Sequence, residues 1–306
     1  MKPIQKTERG PVDGILLLNK PLGFTSNAVL QKIKRHYRAE KAGHTGSLDP
    51  LATGMLPICF GEATKFGQYV LDSDKTYRAT GLLGSKTSTG DVAGEIIASV
   101  SHIDVSEEAL WMVLKEFQGE TLQRPSMFSA LKHQGVPLYR YARKGIVIER
   151  DQRPIYIHEL QLLNYDGRQF VIQVSCGKGT YIRNLVEDIG EKLGTYAHVI
   201  QLHRLYTNGY ANQVMYDLDE LLAMNQEQLQ QCLLPMDTPV SHLPEVLLFD
   251  SETADLQQGK VITKQGGTEG LCARLYDETR HFVGLGTWIA DHLLRAKRLV
   301  RREDRR

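Results

Sequence analysis

Cysteine is scarce in this chain of 306 residues: Cys59, Cys176, Cys232 and Cys272 are widely separated and form no C-x-x-C pair. That excludes a disulfide framework or a zinc site built on closely spaced cysteines, and leaves reduced, partly buried thiols as the expectation. No apolar run approaches the roughly 18 to 20 residues that cross a bilayer. The first fourteen residues are polar and lack the pattern of a secretory signal, so the chain reads as cytoplasmic, with no membrane partner. A G-x-x-x-x-G-K-[ST] spacing is absent too, which removes the P-loop nucleotide-binding class. There is no internal repeat and no low-complexity tract. Residues 211 to 259 contain no Lys or Arg at all, against nine acids.

The basic charge missing there is concentrated elsewhere. Residues 1 to 70 hold ten Lys and Arg against five Asp and Glu, and residues 121 to 155 hold seven against two. The last dozen residues add Arg295, Lys297, Arg298, Arg301, Arg302, Arg305 and Arg306. A formal net charge of +1 hides this segregation, which can turn a basic face toward a polyanion. Charge alone is equally compatible with ordinary solvated surface. The length exceeds one ordinary core and predicts a large domain plus a small one. Hydrophobic residues at 42% and charged residues at 24% place the chain among soluble globular proteins.

Residues 13 to 19 read as a buried strand, and Ser26 is placed to cap a basic helix with Val29, Leu30, Ile33 and Tyr37 on one face. A loop rich in Gly, Thr and Asp runs from Lys41 to Gly54. An apolar stretch, Leu56 to Phe60, and a helical pattern, Glu62 to Leu71, follow it. Lys75 to Leu83 alternates like a half-buried strand. Ser106 caps a helix with Leu110, Val113, Leu114 and Phe117 on one face and Gly119 as its stop. Strands are predicted at 146 to 164 and 168 to 176 around Asp166-Gly167, then a helix from Tyr181 to Leu193 and a strand from Val199 to Tyr206. Strands and helices mix without strict βαβ alternation. The fold class is therefore α+β, on a mixed and largely antiparallel sheet flanked by helices. A short helix near Leu218 to Met224 precedes Pro235, Pro239 and Pro244, which mark a linker. The catalytic domain is accordingly expected over 1 to 245, and a small β-rich domain over 246 to 306.

The loop Gly43-His44-Thr45-Gly46-Ser47-Leu48-Asp49-Pro50-Leu51-Ala52-Thr53-Gly54 surrounds one carboxylate and one imidazole with glycines and hydroxyls. Its glycines permit tight turns and close approach of a ligand. From the residues alone it is also readable as a plain turn with Asp49 capping local amides. Cys176-Gly177-Lys178-Gly179-Thr180-Tyr181-Ile182-Arg183 feeds a strand end into a helix N-terminus, a place that can hold an anion or simply start an amphipathic helix. Tyr77 and Arg78 point to opposite faces of their strand, and Lys20-Pro21 ends the first strand.

Taken in order, these pieces resemble the tRNA pseudouridine-55 synthase family, also called TruB. The stretch from Gly14 through Lys20-Pro21 to Thr25-Ser26 resembles its first motif, and residues 43 to 54 its catalytic loop. Tyr77 begins a third motif, Met127-Phe128-Ser129-Ala130-Leu131-Lys132 is a fourth, and Gly179 to Arg183 a fifth. Beyond Val246 the chain resembles the family's small RNA-binding module, called PUA. Two departures stand out: His203 in Leu202-His203-Arg204 where a second Arg is common, and Arg124-Pro125-Ser126 where a Pro pair is commoner.

The resemblance implies isomerisation of uridine to pseudouridine in the T-loop of tRNA, by an enzyme that uses neither metal nor cofactor and grips the T-arm and acceptor arm; the sequence does not carry the oligomeric state, and a monomer is the default expectation. It implies Asp49 as the essential carboxylate, either a nucleophile at the sugar or a base that starts elimination there. Arg183 would be its partner, in a salt bridge expected to lower the Asp49 pKa. Tyr77 would stack on uracil and help remove the C5 proton. His44 would fill the space vacated by the flipped base, Tyr181 and Leu202 would contact that base, and Lys20 would support the Tyr77 loop beside the substrate. A base-hydrolysing glycosylase and a noncatalytic RNA-binding or folding protein are the alternatives. The former requires a second carboxylate or an ordered water near Asp49.

Overall fold

The computed structural model describes residues 11–301, and its larger sheet has nine strands. The run Gly14–Lys20 is buried along almost its whole length, as an unbroken apolar run must be when both of its faces are covered. The path across the sheet is Tyr216–Asp217, Gly14–Lys20, Ala52–Phe60, Ala197–Thr207, Lys75–Leu83, Gln169–Cys176, Arg153–Tyr165 and Gly119–Gln123. Ala42–His44 also pairs with Ala52–Phe60. Two of these pairings are parallel, Gly14–Lys20 with Tyr216–Asp217 and Ala52–Phe60 with Ala197–Thr207. The others are antiparallel, which gives the mixed, largely antiparallel α+β architecture.

Helix Ser26–His36 buries Val29, Leu30, Ile33 and, just beyond its end, Tyr37, as their spacing predicts. Its cap differs from expectation. Thr25 accepts the Ala28 amide, and Ser26 turns inward to the Asp49 loop. Helix Glu107–Glu116 is capped by Ser106, whose hydroxyl accepts the Ala109 amide, with Glu107 and Glu108 complementing the helix dipole.

Three segments depart from the sequence pattern. The single helix expected from Glu62 to Leu71 is broken into a 3-10 turn, Gly61–Lys65, and a helix, Gly67–Asp72. The strand expected from 146 begins only at Arg153, residues 146 to 152 being irregular; upstream, where no element was expected, stand the hairpin Lys132–His133 and Val136–Pro137 and the short helix Leu138–Ala142. After Leu218–Ala223 comes a second helix, Gln226–Gln231, closed by an Asn225 and Gln228 capping box.

A separate five-stranded sheet orders Glu245–Leu247, Cys272–Tyr276, Phe282–Ala290, Leu293–Leu299 and Ile262–Thr263. Helix Asp250–Gln257 packs there around Leu248, Leu256, Trp288 and Leu294. This module rests on the first through Phe66, Val240 and Leu285, with the Phe66 and Phe282 rings 5.2 Å apart, edge to face. Lys65 Nζ donates to the Leu299 carbonyl at 2.9 Å. Of the basic terminus, Arg302, Arg305 and Arg306 lie outside the described residues.

Candidate active site

Two neighbouring strands, Ala42–His44 and Ala52–Phe60, hold the ends of the Asp49 loop. Ser26 Oγ accepts the Leu48 amide at 2.7 Å and donates to the Leu48 carbonyl at 2.9 Å. The Gly23 amide reaches the Pro50 carbonyl, and the Ala52 amide reaches that of Asp49. Arg204, 1% exposed, secures both shoulders: Nε donates to the Met55 carbonyl at 2.6 Å and Nη2 to the Gly46 carbonyl at 3.0 Å.

Gly54 lets the Arg204 backbone come that close. Its φ is +99°, and a Cβ there would stand 2.2 Å from the Arg204 carbonyl oxygen. Gly54→Ala combines left-handed strain with a backbone clash. It should cost about 3 kcal/mol or more, seen calorimetrically as a Tm fall of roughly 6–12 °C. An unchanged Tm would mean that the loop shoulders move apart freely.

The carboxylate and guanidinium expected to meet do so: Arg183 Nε lies 2.9 Å from Asp49 Oδ2. Arg183 comes from the first turn of helix Ile182–Lys192. Its Nη1 donates to the Thr89 carbonyl at 2.6 Å and its Nη2 to the Phe128 carbonyl at 2.9 Å. The arginine side chain is 5% exposed and that of Asp49 40%, so a rooted cation presents an accessible carboxylate. Asp91 stands behind the pair, its Oδ2 3.9 Å from Arg183 Nε and its side chain 8% exposed. Asp91 Oδ1 is occupied by Thr89 Oγ1 and the Ala93 amide. The second carboxylate that a glycosylase would require is thus nearby, but it is turned toward the arginine and its own turn.

The electrostatic expectation needs correction. Burial pushes the Asp49 pKa above the ordinary carboxylate value, outweighing the attraction of Arg183; Asp91 adds to the rise, and Lys20 opposes it. Arg183 therefore limits a desolvation penalty instead of producing a net fall.

Lys20 is fully buried, and its ammonium donates to the Pro21 and Phe24 carbonyls at 2.9 and 2.7 Å. It holds the Pro21 to Phe24 turn beside the Asp49 loop, and being fully buried it offers no surface to a substrate. Burial pulls its pKa down to about 8, although Asp49 pulls the other way. Tyr77 lies on Lys75–Leu83, opposite Arg204, whose guanidinium is 6.0 Å from the ring centre. Burial raises the pKa of Tyr77 and of Tyr181, and the Asp49 charge reinforces both shifts, so both phenols stay protonated. Leu202 is 8% exposed and pairs with Ala52 and Ala79, beside the loop exit. His44 lies on the entry strand; burial and Arg204 lower its pKa, and its buried Nδ1 has no hydrogen-bond partner. His203 Nδ1 meets Thr53 Oγ1 at 2.8 Å.

Residues 34–182 match the model for the N-terminal domain of the TruB family pseudouridylate synthases. Residues 183–241 match the tRNA pseudouridylate synthase B C-terminal domain, and 244–300 the C-terminal region of pseudouridine synthase II TruB. The chain belongs to the TruB family. A tRNA pseudouridine synthase B of Legionella pneumophila (strain Lens) is 57% identical over 290 residues, spanning 94% of this chain and 96% of the relative. One from Tolumonas auensis is 49% identical, spanning 95% and 93%. Among solved structures, an H/ACA ribonucleoprotein bound to a substrate RNA containing 2′-deoxyuridine is similar with a TM-score of 0.71 at 25% identity, covering 95% of this chain and 86% of that one. A Cbf5–Nop10–Gar1 complex gives 0.69 at 27%, covering 94% and 86%.

Within this TruB site several contributors escaped sequence reading. Asp91 and Thr89 sit in Ser88-Thr89-Gly90-Asp91, which carried a turn signal but nothing to tie it to Arg183. Phe128 acts through its carbonyl, which its side-chain identity does not advertise. Arg204 looks like an ordinary strand residue until its burial is known.

Proposed function

We propose that this chain isomerises uridine to pseudouridine at position 55, in the T-loop of tRNA. The observation that carries the reading is the accessible Asp49 carboxylate on a rooted Arg183, in a chain with relatives named tRNA pseudouridine synthase B. The bond from ribose C1′ to uracil N1 breaks, the detached base turns, and C5 bonds to C1′. The C5 proton then leaves and N1 takes one up, so the reaction is balanced without water or an oxidant. Asp49 supplies the electron pair that starts it, as a nucleophile or a base. The target base must first leave its stack, at a cost of a few kcal/mol. In this reading Tyr181 and Leu202 contact the extruded base, and His44 fills the space it vacates.

The basic helix residues Lys32, Lys34 and Arg35 and, just beyond the helix end, Arg38, with Arg140, Arg143 and Lys144, are suited to RNA phosphates. The module beyond residue 245, PUA-like in this reading, would take the acceptor arm, with the protein working as a cytoplasmic monomer. The test is tritium release from a tRNA transcript labelled at uracil C5: release with the base still attached supports isomerisation. Free uracil would indicate a glycosylase, and tight binding without release a folding or binding protein.

Tyr77→Phe keeps the ring and removes the hydroxyl. Its single-turnover rate should fall ~10²-fold with an unchanged melting temperature. Wild-type speed would leave Tyr77 only a stacking role.

A further inference from the structure

Helix Ile182–Lys192 begins without help from its own sequence. Its N-cap is Tyr181, whose side chain makes no capping bond. The Tyr181 peptide is held instead by a side chain from far away: Gln123 Oε1 accepts the Tyr181 amide at 2.8 Å, and Gln123 Nε2 donates to the Tyr181 carbonyl at 3.0 Å. The glutamine amide behaves as an extra peptide unit laid against the chain, closing two bonds where one would give only a pivot. Gln123 is 3% exposed, so these bonds are shielded from water and hard to replace.

Gln123 is the last residue of the sheet's edge strand, Gly119–Gln123, and is paired there with Arg153. The chain then leaves the sheet and touches the same helix end twice more. The Arg124 carbonyl accepts Asn184 Nδ2 at 3.2 Å, and the Phe128 carbonyl accepts Arg183 Nη2. Of these three contacts, only the first is a two-bond clamp from a side chain anchored in the sheet.

From this geometry we infer that Gln123 is a positioning residue: its amide fixes the Tyr181 peptide and thereby sets both Tyr181 and, two residues on, the reach of Arg183 to Asp49. The inference rests on the proposed activity. Gln123 touches no reacting atom; it acts by holding the N-terminal turn that carries both groups.

Gln123→Met keeps the length and volume but makes neither bond, so a residue needed only for packing would tolerate it. Single-turnover conversion of tritiated tRNA by saturating enzyme should fall by about 10- to 100-fold. With Arg183 less firmly placed, the acid limb of the rate profile should also move to higher pH, because the ionised Asp49 loses part of its support. Affinity for tRNA, set mainly by phosphate contacts, should stay within about threefold. Gln123→Glu keeps the acceptor and loses the donor, and should also be slow with a shifted limb.

Wild-type rate and limb in both variants would overturn the inference, as would a rate loss with an unmoved limb. Full recovery of rate at higher enzyme concentration would overturn it as well. If Gln123→Met does not fold, the outcome rests on Gln123→Glu alone. Wild type run alongside separates the two readings: its failure to convert tRNA would sink the activity, not the clamp.

Discussion

Asp49→Asn should release no measurable tritium while still binding tRNA, with a rate loss of ~10⁴-fold or more. The substitution preserves shape and the Asn oxygen can still accept from Arg183, but the electron pair available to the sugar or its proton is gone. Arg183 keeps Asp91 and the Thr89 and Phe128 carbonyls as partners, so the variant should fold with a nearly native melting curve. Affinity for tRNA should change by no more than about threefold, since phosphate contacts dominate it. Substantial residual conversion by Asp49→Asn would remove the carboxylate from the centre of the chemistry.

The second large effect is expected at Arg183, and its sign follows from Asp49. Burial already holds that carboxyl above its usual pKa, with Arg183 the largest opposing influence and Asp91 pushing the same way as burial. In the proposed role of Asp49 the active form is the anion, so activity should be lost as pH falls through this elevated pKa. Arg183→Gln removes the opposition and should carry the acid limb upward by about 1–3 pH units. Because the donor that faces the reacting charge is also lost, the rate on the alkaline plateau should fall ~10²- to 10³-fold. Arg183→Lys separates the two contributions. It retains the charge but cannot reach Asp49 and two carbonyls at once, so the limb should move little and the plateau should still drop. An unmoved limb in Arg183→Gln would assign Asp49's ionisation to other groups.

Much of this site was legible in the sequence because its chemistry is carried by side chains in compact, ordered motifs. Asp49 lies in a loop whose glycines and hydroxyls mark it, and Arg183 follows a glycine-rich strand end. The strands around them have the apolar periodicity that sheets require, and Lys75–Leu83 begins and ends where alternation places it. What escaped was carried by tertiary context. Ser26 has the composition of a helix cap, yet Thr25 does that work and Ser26 holds Leu48. Desolvation of Asp49 depends on which distant segments pack beside its loop, and no local pattern carries that quantity. The clamp at Tyr181 joins residues 58 positions apart, and Phe128 contributes through backbone common to every residue. Residues 124 to 152 mix basic and apolar side chains without a sustained period, so the hairpin and helix over 132 to 142 went unread and the next strand was begun seven residues early, at 146 instead of Arg153.

The first strand of the described residues is among the last to be fully paired. Gly14–Lys20 finds Ala52–Phe60 soon after both have emerged, but its other edge is filled by Tyr216–Asp217, with Asn19 bonding Asp217 across 198 positions. Ile15 exchanges backbone bonds with Leu234 later still. For most of translation this strand therefore keeps one edge open, in an apolar segment suited to pairing with a foreign strand. Arg183 and Arg204 arrive late as well, so the Asp49 loop is made long before the cations that hold it. Folding of such nonlocal pairings is intrinsically slow. A nascent chain halted short of residue 234 would thus carry the Asp49 loop without a finished sheet and with an adhesive edge, a combination that favours rapid completion or rapid disposal of unfinished copies.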